Sequence, residues 1–394
     1  MSHPLINRDP NLCRLRDEGF ELEVRSGHLL IHSVPYVNSR CEIATGTLVM
    51  VLAGEASTIP PGHTAHFIGD CPCNTDGSEI VQIKNNGRTN VLAPDLTVNQ
   101  FFSAKLRSGA YTNYHEKVTL YVEIISGPAR ALNPDPKITA QTFKPIVSAE
   151  QDTVFNYMDT ASSRAGILAC TQQFIGRKIA IVGLGGTGSY VLDLVAKTPV
   201  AEIHLFDGDV VRQPNAFRLP GALSLEELEA VPNKVDHFHS IYSKLRRGIF
   251  PHPEKITADN VAELRAFDHV FLCVDKGTPR RLVVDALRGT KTTIIDVGMG
   301  VQLSPETQKL WGVCRVTTLT GERHGDAEHF IPFEDIEDDG VYSNIQIADL
   351  NCLNAALAVI RWKKLCGFYA DDTSEHQAAY TTNTNIITNS EKPE

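Results

Sequence analysis

Lys178-Ile-Ala-Ile-Val182 runs directly into Gly183-Leu-Gly-Gly-Thr-Gly188 and then into Ser189-Tyr-Val-Leu-Asp-Leu-Val-Ala-Lys197. Apolar strand, glycine turn and helix-like stretch, in that order, are the context in which such a motif is believable. Glycines let the backbone turn sharply and approach a phosphate. The start of the helix offers free N–H groups and the positive end of a dipole to an anion. The next apolar run, Ala201 to Phe206, ends at Asp207, nineteen residues beyond Gly188, where a carboxylate can accept hydrogen bonds from ribose hydroxyls. This much fits NAD, FAD, the adenosine of a methyl donor or ATP. A tight strand–helix turn without a ligand is the plain alternative.

Outward from this motif the texture is uniform. KIAIVGLGG, AEIHLFDGD, DHVFLCVD and TTIIDVGMG alternate with helical stretches, the signature of an α/β fold with an open, mainly parallel sheet. A helical spacing of apolar residues from Asn344 to Phe368 predicts a core or interface helix. Residues 1–132 read differently: short β-branched or alternating runs, such as Thr47–Leu52 and Val118–Ile125, are punctuated by Gly, Pro and Asn. They predict a smaller β-rich domain preceding the α/β domain. Ala131-Leu-Asn-Pro-Asp-Pro-Lys137 opens a polar linker over 133–160, the α/β domain takes 161–370, and 371–394 reads as a flexible polar tail.

Composition bounds the function. A chain of 394 residues has room for two or three compact units. With 37 Lys+Arg against 47 Asp+Glu the net charge is −10 and no long basic run occurs, which disfavours a nucleic-acid partner. No apolar stretch approaches membrane-spanning length and the opening residues lack the apolar centre of a signal peptide, so the expected location is cytoplasmic, with no membrane partner. Nine cysteines in such a chain read as reduced thiols.

The residues beyond Asp207 discriminate among nucleotides. Asp209, Asn215 and Arg218 follow in DGDVVRQPNAFR, Lys234 in VPNKVDHF, and Asp275 at the end of LCVD. A dehydrogenase needs none of these. A triphosphate requires basic side chains and a divalent cation, and the cation requires a carboxylate. Asp275 closes a buried strand at its carboxyl end, where open α/β sheets place ligands, and is the expected magnesium ligand. Arg218 and Lys234 are the expected phosphate clamp and point charge; taken singly, each would pass for ordinary surface charge.

The order GLGGTG, DxD, NxxR, Lys, then Asp with Arg280 five residues on, resembles the ThiF/MoeB and ubiquitin-activating-enzyme superfamily of adenylyltransferases, over about Ser162 to Phe368. Ser163-Arg164, with Arg164 nineteen residues before Gly183, is similar to the arginine finger that reaches into a partner subunit. The resemblance implies a Rossmann-like adenylation domain using ATP and Mg²⁺, with Gly183, Gly185, Gly186 and Gly188 cradling the nucleotide beside Asp209. It implies that Asp207 binds ribose, that Asn215, Arg218 and Lys234 bind phosphates, that Asp275 binds the metal, and that Arg164 acts in trans in a homodimer. It also implies the reaction, attack by the C-terminal glycine carboxylate of a ubiquitin-like protein on the α-phosphorus of ATP, and links to bacterial ubiquitin-like conjugation and phage defence.

Many members then pass the acyl group to a cysteine. Cys314 in LWGVCRVTTLT is the candidate, although it also fits a buried strand thiol; Thr317 and Thr318 are the oxygen alternatives. The chain has no CxxC pair, so the structural zinc of ThiF/MoeB proteins is not expected. Thr318 to Tyr342 is the natural crossover segment for a substrate tail. In the N-terminal half, His63, His66, Cys71 and Cys73 are four metal-ligand types within eleven residues, but a CxC pair is tight for one tetrahedral ion and His63 and His66 fall on opposite faces of a strand. That half resembles, more weakly, extensions on bacterial ThiF-like proteins, which implies docking of the ubiquitin-like substrate or a conjugating enzyme. Three other readings compete: a sulfur-carrier adenylyltransferase of the thiamine or molybdopterin type, an NAD-dependent oxidoreductase, and a catalytically silent binding module.

Overall fold

The computed structural model describes residues 6–53, 58–86, 88–106, 109–144, 153–157, 159–165, 167–321, 328–334 and 345–390. The chain divides into two compact units, one made of residues 1–153 and 157–167, the other of 154–156 and 168–394.

The first unit opens with helix α1 (Pro10–Asp17), whose first turn is capped by Asp9 Oδ1 accepting from Asn11 N–H at 2.8 Å. Then come β1 (Leu22–Arg25), β2 (His28–Val37), β3 (Ile43–Val51), β4 (Thr64–Ile68), β5 (Lys84–Asn86), β6 (Asn90–Ala93), β7 (Leu96–Val98) and β8 (Gln100–Ser103). Six of them form an antiparallel sheet in the order β1-β2-β3-β4-β8-β5, and β6 and β7 make a separate hairpin. Period-two alternation sends Leu22, Leu29, Ile31, Leu48, Met50 and Phe67 into the main core.

One run departs from the sequence reading. Val118–Ile125, expected as strand, lies inside helix α2 (Tyr114–Leu132). Asn113 caps this helix, its Oδ1 accepting from Glu116 N–H at 2.8 Å, and the buried positions Tyr114, Lys117, Val118, Tyr121, Val122 and Ile125 follow a period of 3.6. Packing of that stripe overrides the local β preference of Val-Thr-Leu-Tyr-Val.

The second unit is an eight-stranded sheet in the order β11-β10-β9-β12-β13-β14-β15-β16. In chain order its elements are β9 (Lys178–Val182), α3 (Gly186–Ala196), β10 (Glu202–Phe206), α4 (Lys234–Tyr242), β11 (Ile249–His252), β12 (His269–Leu272), α5 (Gly277–Leu287), β13 (Thr293–Ser304), β14 (Lys309–Leu319), α6 (Ala348–Leu365), β15 (Gln377–Thr381) and β16 (Ile386–Ser390). β11, β10, β9, β12 and β13 pair in parallel; β13 to β16 pair antiparallel. Both faces of the parallel part are covered, so β9 reads as a continuous apolar run. Ile179 and Ile181 point into a core shared with α3 and α6, while Ala180 and Val182 join a second core with α5. The chain leaves β9 in one direction for β10 and β11 and returns on its other side to β12, which places a topological switch, and hence a ligand crevice, at the carboxyl end of β9.

Of residues 371–394, expected as a flexible tail, the described part, 371–390, instead supplies β15 and β16. Asp371 and Glu375 anchor the connection: Arg361 Nη1 lies 2.6 Å from Asp371 Oδ2, and Lys364 Nζ lies 2.9 Å from Glu375 Oε1. Burial alone would raise the Glu375 pKa, but these partners outweigh it and hold the carboxyl at about 2. Polar sequence concealed strands whose outer faces meet solvent. Among the described residues, no helix is long and apolar enough to cross a membrane.

One buried histidine gives the fold a pH signature. His269 Nε2 sits 3.7 Å from Cys366 Sγ, and burial with Arg177 nearby pushes its pKa down from 6.5 to about 4. The folded state holds the neutral ring. Its stabilisation is therefore complete above pH 6.5 and is lost as pH falls toward 4, by up to about 3 kcal/mol. Urea unfolding at pH 7 and at about pH 4.5 should show a smaller acid loss in His269→Leu than in the parent.

Candidate functional site

Gly183 has φ +90°, and a Cβ there would lie 2.7 Å from the Cys273 carbonyl oxygen, so only glycine serves. At Gly188 a Cβ would lie 1.9 Å from the Gly183 carbonyl oxygen. The turn is thus packed against its own first residue and the end of β12. We expect Gly188→Ala to lower stability by about 1–3 kcal/mol in urea titration, because the obstacle is backbone and has no rotamer to escape into. Gly185 is the opposite case: nothing stands within 4 Å of where its Cβ would be, and no side chain caps α3 behind it. That combination leaves an open, hydrogen-bond-donating cradle at the start of the helix.

Asp207 ties this cradle to the end of β10. Its Oδ2 accepts from Leu184 N–H at 2.7 Å and its Oδ1 from Asp209 N–H at 2.8 Å. Each carboxylate oxygen keeps acceptor capacity for a ribose hydroxyl. Lys234 Nζ, buried at the start of α4, lies 3.5 Å from Asp207 Oδ2 and 3.2 Å from Asp209 Oδ2. Its backbone N–H donates to the Asp209 carbonyl at 3.0 Å, which fixes the start of α4 against the Asp207–Asp209 turn. Asn215 is buried and its Oδ1 accepts from Arg212 N–H at 2.8 Å, while its carbonyl accepts from Arg218 N–H at 2.9 Å. Its side-chain oxygen is thus committed to shaping the loop that carries Arg218. Arg218 Nε is buried and has no hydrogen-bond partner, an unspent donor beside this loop.

Asp275 follows β12 and is exposed, so its carboxylate can reach a hydrated cation. Arg280 holds the segment in place: Nη2 donates to the Val274 carbonyl at 2.6 Å and Nε pairs with the fully buried Asp296 at 2.7 Å. Arg315 Nη2 takes the other oxygen of Asp296 at 2.7 Å.

Sequence reasoning missed several members. Lys255, on the turn after β11, places Nζ 3.1 Å from Asp209 Oδ1, and the charge of Asp275 also acts on it. Partial burial works against the Asp209 carboxylate, yet the hydrogen bond from Lys255 and the charge of Lys234 keep its pKa below the usual value. Asn351 on α6 accepts from Thr187 Oγ1 at 2.8 Å and donates to the Ile347 carbonyl at 3.0 Å; its amide fills the space a Cβ on Gly186 would need. Asn354, one turn on, donates to the Gly298 carbonyl at 3.1 Å. Two asparagines three apart on a mostly apolar buried face were the signal.

Other expected residues are packed into the core or lie outside the described residues. Cys314 is fully buried on β14, its thiol lies 3.5 Å from the Leu350 carbonyl, and burial pushes its pKa up to about 11. This is a packed strand thiol, and Cys314 takes no part in the function proposed below. Thr317 and Thr318 are buried too, Thr317 Oγ1 accepting from Arg315 Nη1 at 2.6 Å. Arg164 ends a short helix, Thr160–Arg164, in the first unit, and its side chain lies outside the described residues. So do 322–327 and 335–344 of the expected crossover segment. His66 packs against Phe101 with the rings tilted and Cys73 Sγ lies 3.2 Å from the Cys71 carbonyl; among the described residues no three His, Cys, Asp or Glu side chains gather as a metal-holding group.

The ThiF family model matches residues 171–309, and that of a domain of unknown function (DUF6791) matches residues 10–160. An 80-residue stretch is 32% identical to ubiquitin-like modifier-activating enzyme 5 of Caenorhabditis briggsae, covering 20% of this chain and 18% of that protein. A 141-residue stretch is 27% identical to the tRNA threonylcarbamoyladenosine dehydratase of Escherichia coli (strain K12), covering 34% of this chain and 51% of that one. The chain therefore spans from about a fifth to about half the length of these relatives. Among solved structures, E. coli MccB with ATP is similar over 57% of this chain and 65% of that one, with 15% identity and a TM-score of 0.41.

Proposed function

We propose that the ThiF family domain at residues 171–309 makes this protein an ATP- and magnesium-dependent adenylating enzyme, which activates the C-terminal glycine carboxylate of a ubiquitin-like protein. One observation carries the reading: the turn that holds the open cradle at Gly185 is tied through Leu184 N–H to Asp207, which belongs to a cluster with Asp209, Lys234 and Lys255, and Arg218, with its unspent Nε donor, and the exposed Asp275 follow in the chain. A dinucleotide enzyme has no use for this many charges beyond the ribose carboxylate.

The residues divide the work by type. Asp207 receives the ribose, the start of α3 and Lys234 receive phosphate oxygens, and Arg218 brings a fixed positive charge to where negative charge grows. The attacking carboxylate is already ionised at neutral pH, so no side chain need act as base. Asp275 would hold Mg²⁺, which supplies charge neutralisation across the phosphates when bound. Attack on the α-phosphorus expels pyrophosphate and leaves an acyl adenylate. The transfer of the acyl group to a conjugating partner, a homodimeric assembly with Arg164 acting in trans, and a place in bacterial defence extend the same proposal.

The match to the tRNA-modifying relative supports a second reading, activation of a carboxylate that is not on a protein. Calorimetric titration of the full chain with ATP and with NAD, each with Mg²⁺, tests the shared core. ATP should bind and NAD should not; preference for NAD, or binding of neither, would overturn the reading. Pyrophosphate exchange into ATP, stimulated by a glycine-tailed ubiquitin-like protein, then separates the two carboxylate sources.

A further inference from the structure

The six-stranded sheet of the first unit has one face packed on α2 and the other partly open. On the open face a groove of about 700 Å³ runs across β1, β2 and β3, bounded at one end by Gly69, Asp70 and Asn99. Four of its side chains form a continuous chain. Arg25 grips Glu23 through both carboxylate oxygens, Nε to Oε1 at 2.7 Å and Nη2 to Oε2 at 2.8 Å. Glu23 Oε2 lies 2.8 Å from His32 Nε2, and His32 Nδ1 lies 3.2 Å from Thr47 Oγ1.

The chemistry of these atoms fixes the protons. A carboxylate only accepts, so His32 Nε2 carries a hydrogen; in the neutral ring Nδ1 then has a lone pair, and Thr47 is the donor to it. Glu23 stays ionised, because Arg25 and His32 outweigh the effect of its partial burial and hold its pKa below the usual value. Hydroxyl, imidazole and carboxylate are therefore aligned with the polarity that turns an alcohol into a nucleophile. The strand is built irregularly at this point. The β2–β3 register shifts between Ile31 and Val34, and Ser33 adopts φ +55°. That bulge returns Val34 and Tyr36 to the core face while leaving His32 on the groove side. A strained, non-glycine residue beside an aligned base is a pattern of functional sites.

We propose that this groove is a second, acyl-transfer site, with Thr47 as nucleophile, His32 as general base and Glu23, braced by Arg25, as the group that orients the base. Its substrate class is a carboxylic ester or thioester small or extended enough to lie in the groove. Thr47 Oγ attacks the carbonyl carbon as its proton passes to His32 Nδ1. The tetrahedral adduct collapses with cleavage of the bond to the leaving alcohol or thiol, which takes the proton from His32. Water then releases the acid from Thr47 by the same route in reverse. No oxidant, metal or nucleotide is needed, so the site stands apart from the adenylation reading.

The test uses the full chain, a tagged fluorophosphonate and p-nitrophenyl acetate. Attack on the fluorophosphonate expels fluoride and leaves a stable phosphonyl group, which mass spectrometry should locate on Thr47. Thr47→Val should abolish the adduct and ester turnover, Thr47→Ser should retain both, and His32→Gln should slow labelling by at least about a hundredfold. An absent adduct in the parent protein, or equal labelling in His32→Gln, overturns the proposal. Should His32→Gln fail to fold, the Val and Ser pair at position 47 decides alone, since both preserve size within a methyl group or less.

Discussion

Asp275→Asn should leave the protein folded, leave ATP binding measurable, and remove the dependence of that binding on Mg²⁺. The carboxylate is exposed and makes no core contact, so its loss costs little stability. In the proposed function its loss would be felt at the phosphates. Charge stabilisation by a bound cation is worth several kcal/mol, so pyrophosphate release should fall by about a hundredfold to a thousandfold. Two titrations decide, ATP with Mg²⁺ and ATP with chelator. In the parent the two curves should separate; in Asp275→Asn they should coincide. If they separate equally in both, the cation is held elsewhere and Asp275 is a surface carboxylate. Binding by calorimetry is read independently of turnover, so a merely slow enzyme cannot imitate the result.

The sequence disclosed this part of the molecule because its signals are local. Strand, glycine turn and helix follow one another from Lys178 to Ala196, and Asp207 and Asp275 each fall just past an apolar run that reads as a buried parallel strand. What was hidden depends on distant partners. Lys255 matters because the turn after β11 lies against Gly208, where a Cβ would meet Lys255 Cγ at 2.9 Å. Asn351 matters because α6 lies against the glycine turn. The misread strand at Val118–Ile125 fails for a related reason: its residues suit either period, and only the cap at Asn113 and the sheet beneath decide for helix. Cys314 shows the limit of motif reading, since its place in a strand was legible but its accessibility was not.

Asp296→Ala should be the most destabilising single change in the second unit, by about 3–5 kcal/mol. Asp296 has no exposed surface, and its two oxygens receive Arg280 and Arg315, each at 2.7 Å. Removing it leaves two guanidinium groups facing each other, Arg280 itself being only 5% exposed. The consequence extends beyond stability. Arg280 uses the same guanidinium to hold the Val274 carbonyl, directly before Asp275, and Arg315 lies over Gly298, where a Cβ would meet its Nη2 at 2.6 Å. Once Asp296 is gone, mutual repulsion should pull Arg280 from Val274 and loosen the residue proposed to hold the metal. Urea unfolding of the parent, Asp296→Ala and Asp296→Asn separates the contributions. Asn can accept from one arginine but carries no charge, so it should recover the shape and only part of the stability. A loss below about 1 kcal/mol in the alanine variant would mean that water enters and solvates both arginines, and that the end of β12 is held by its strand pairing instead. The Mg²⁺ titration repeated on Asp296→Asn completes the argument: weaker metal dependence with Asp275 intact is expected only if Arg280 positions it.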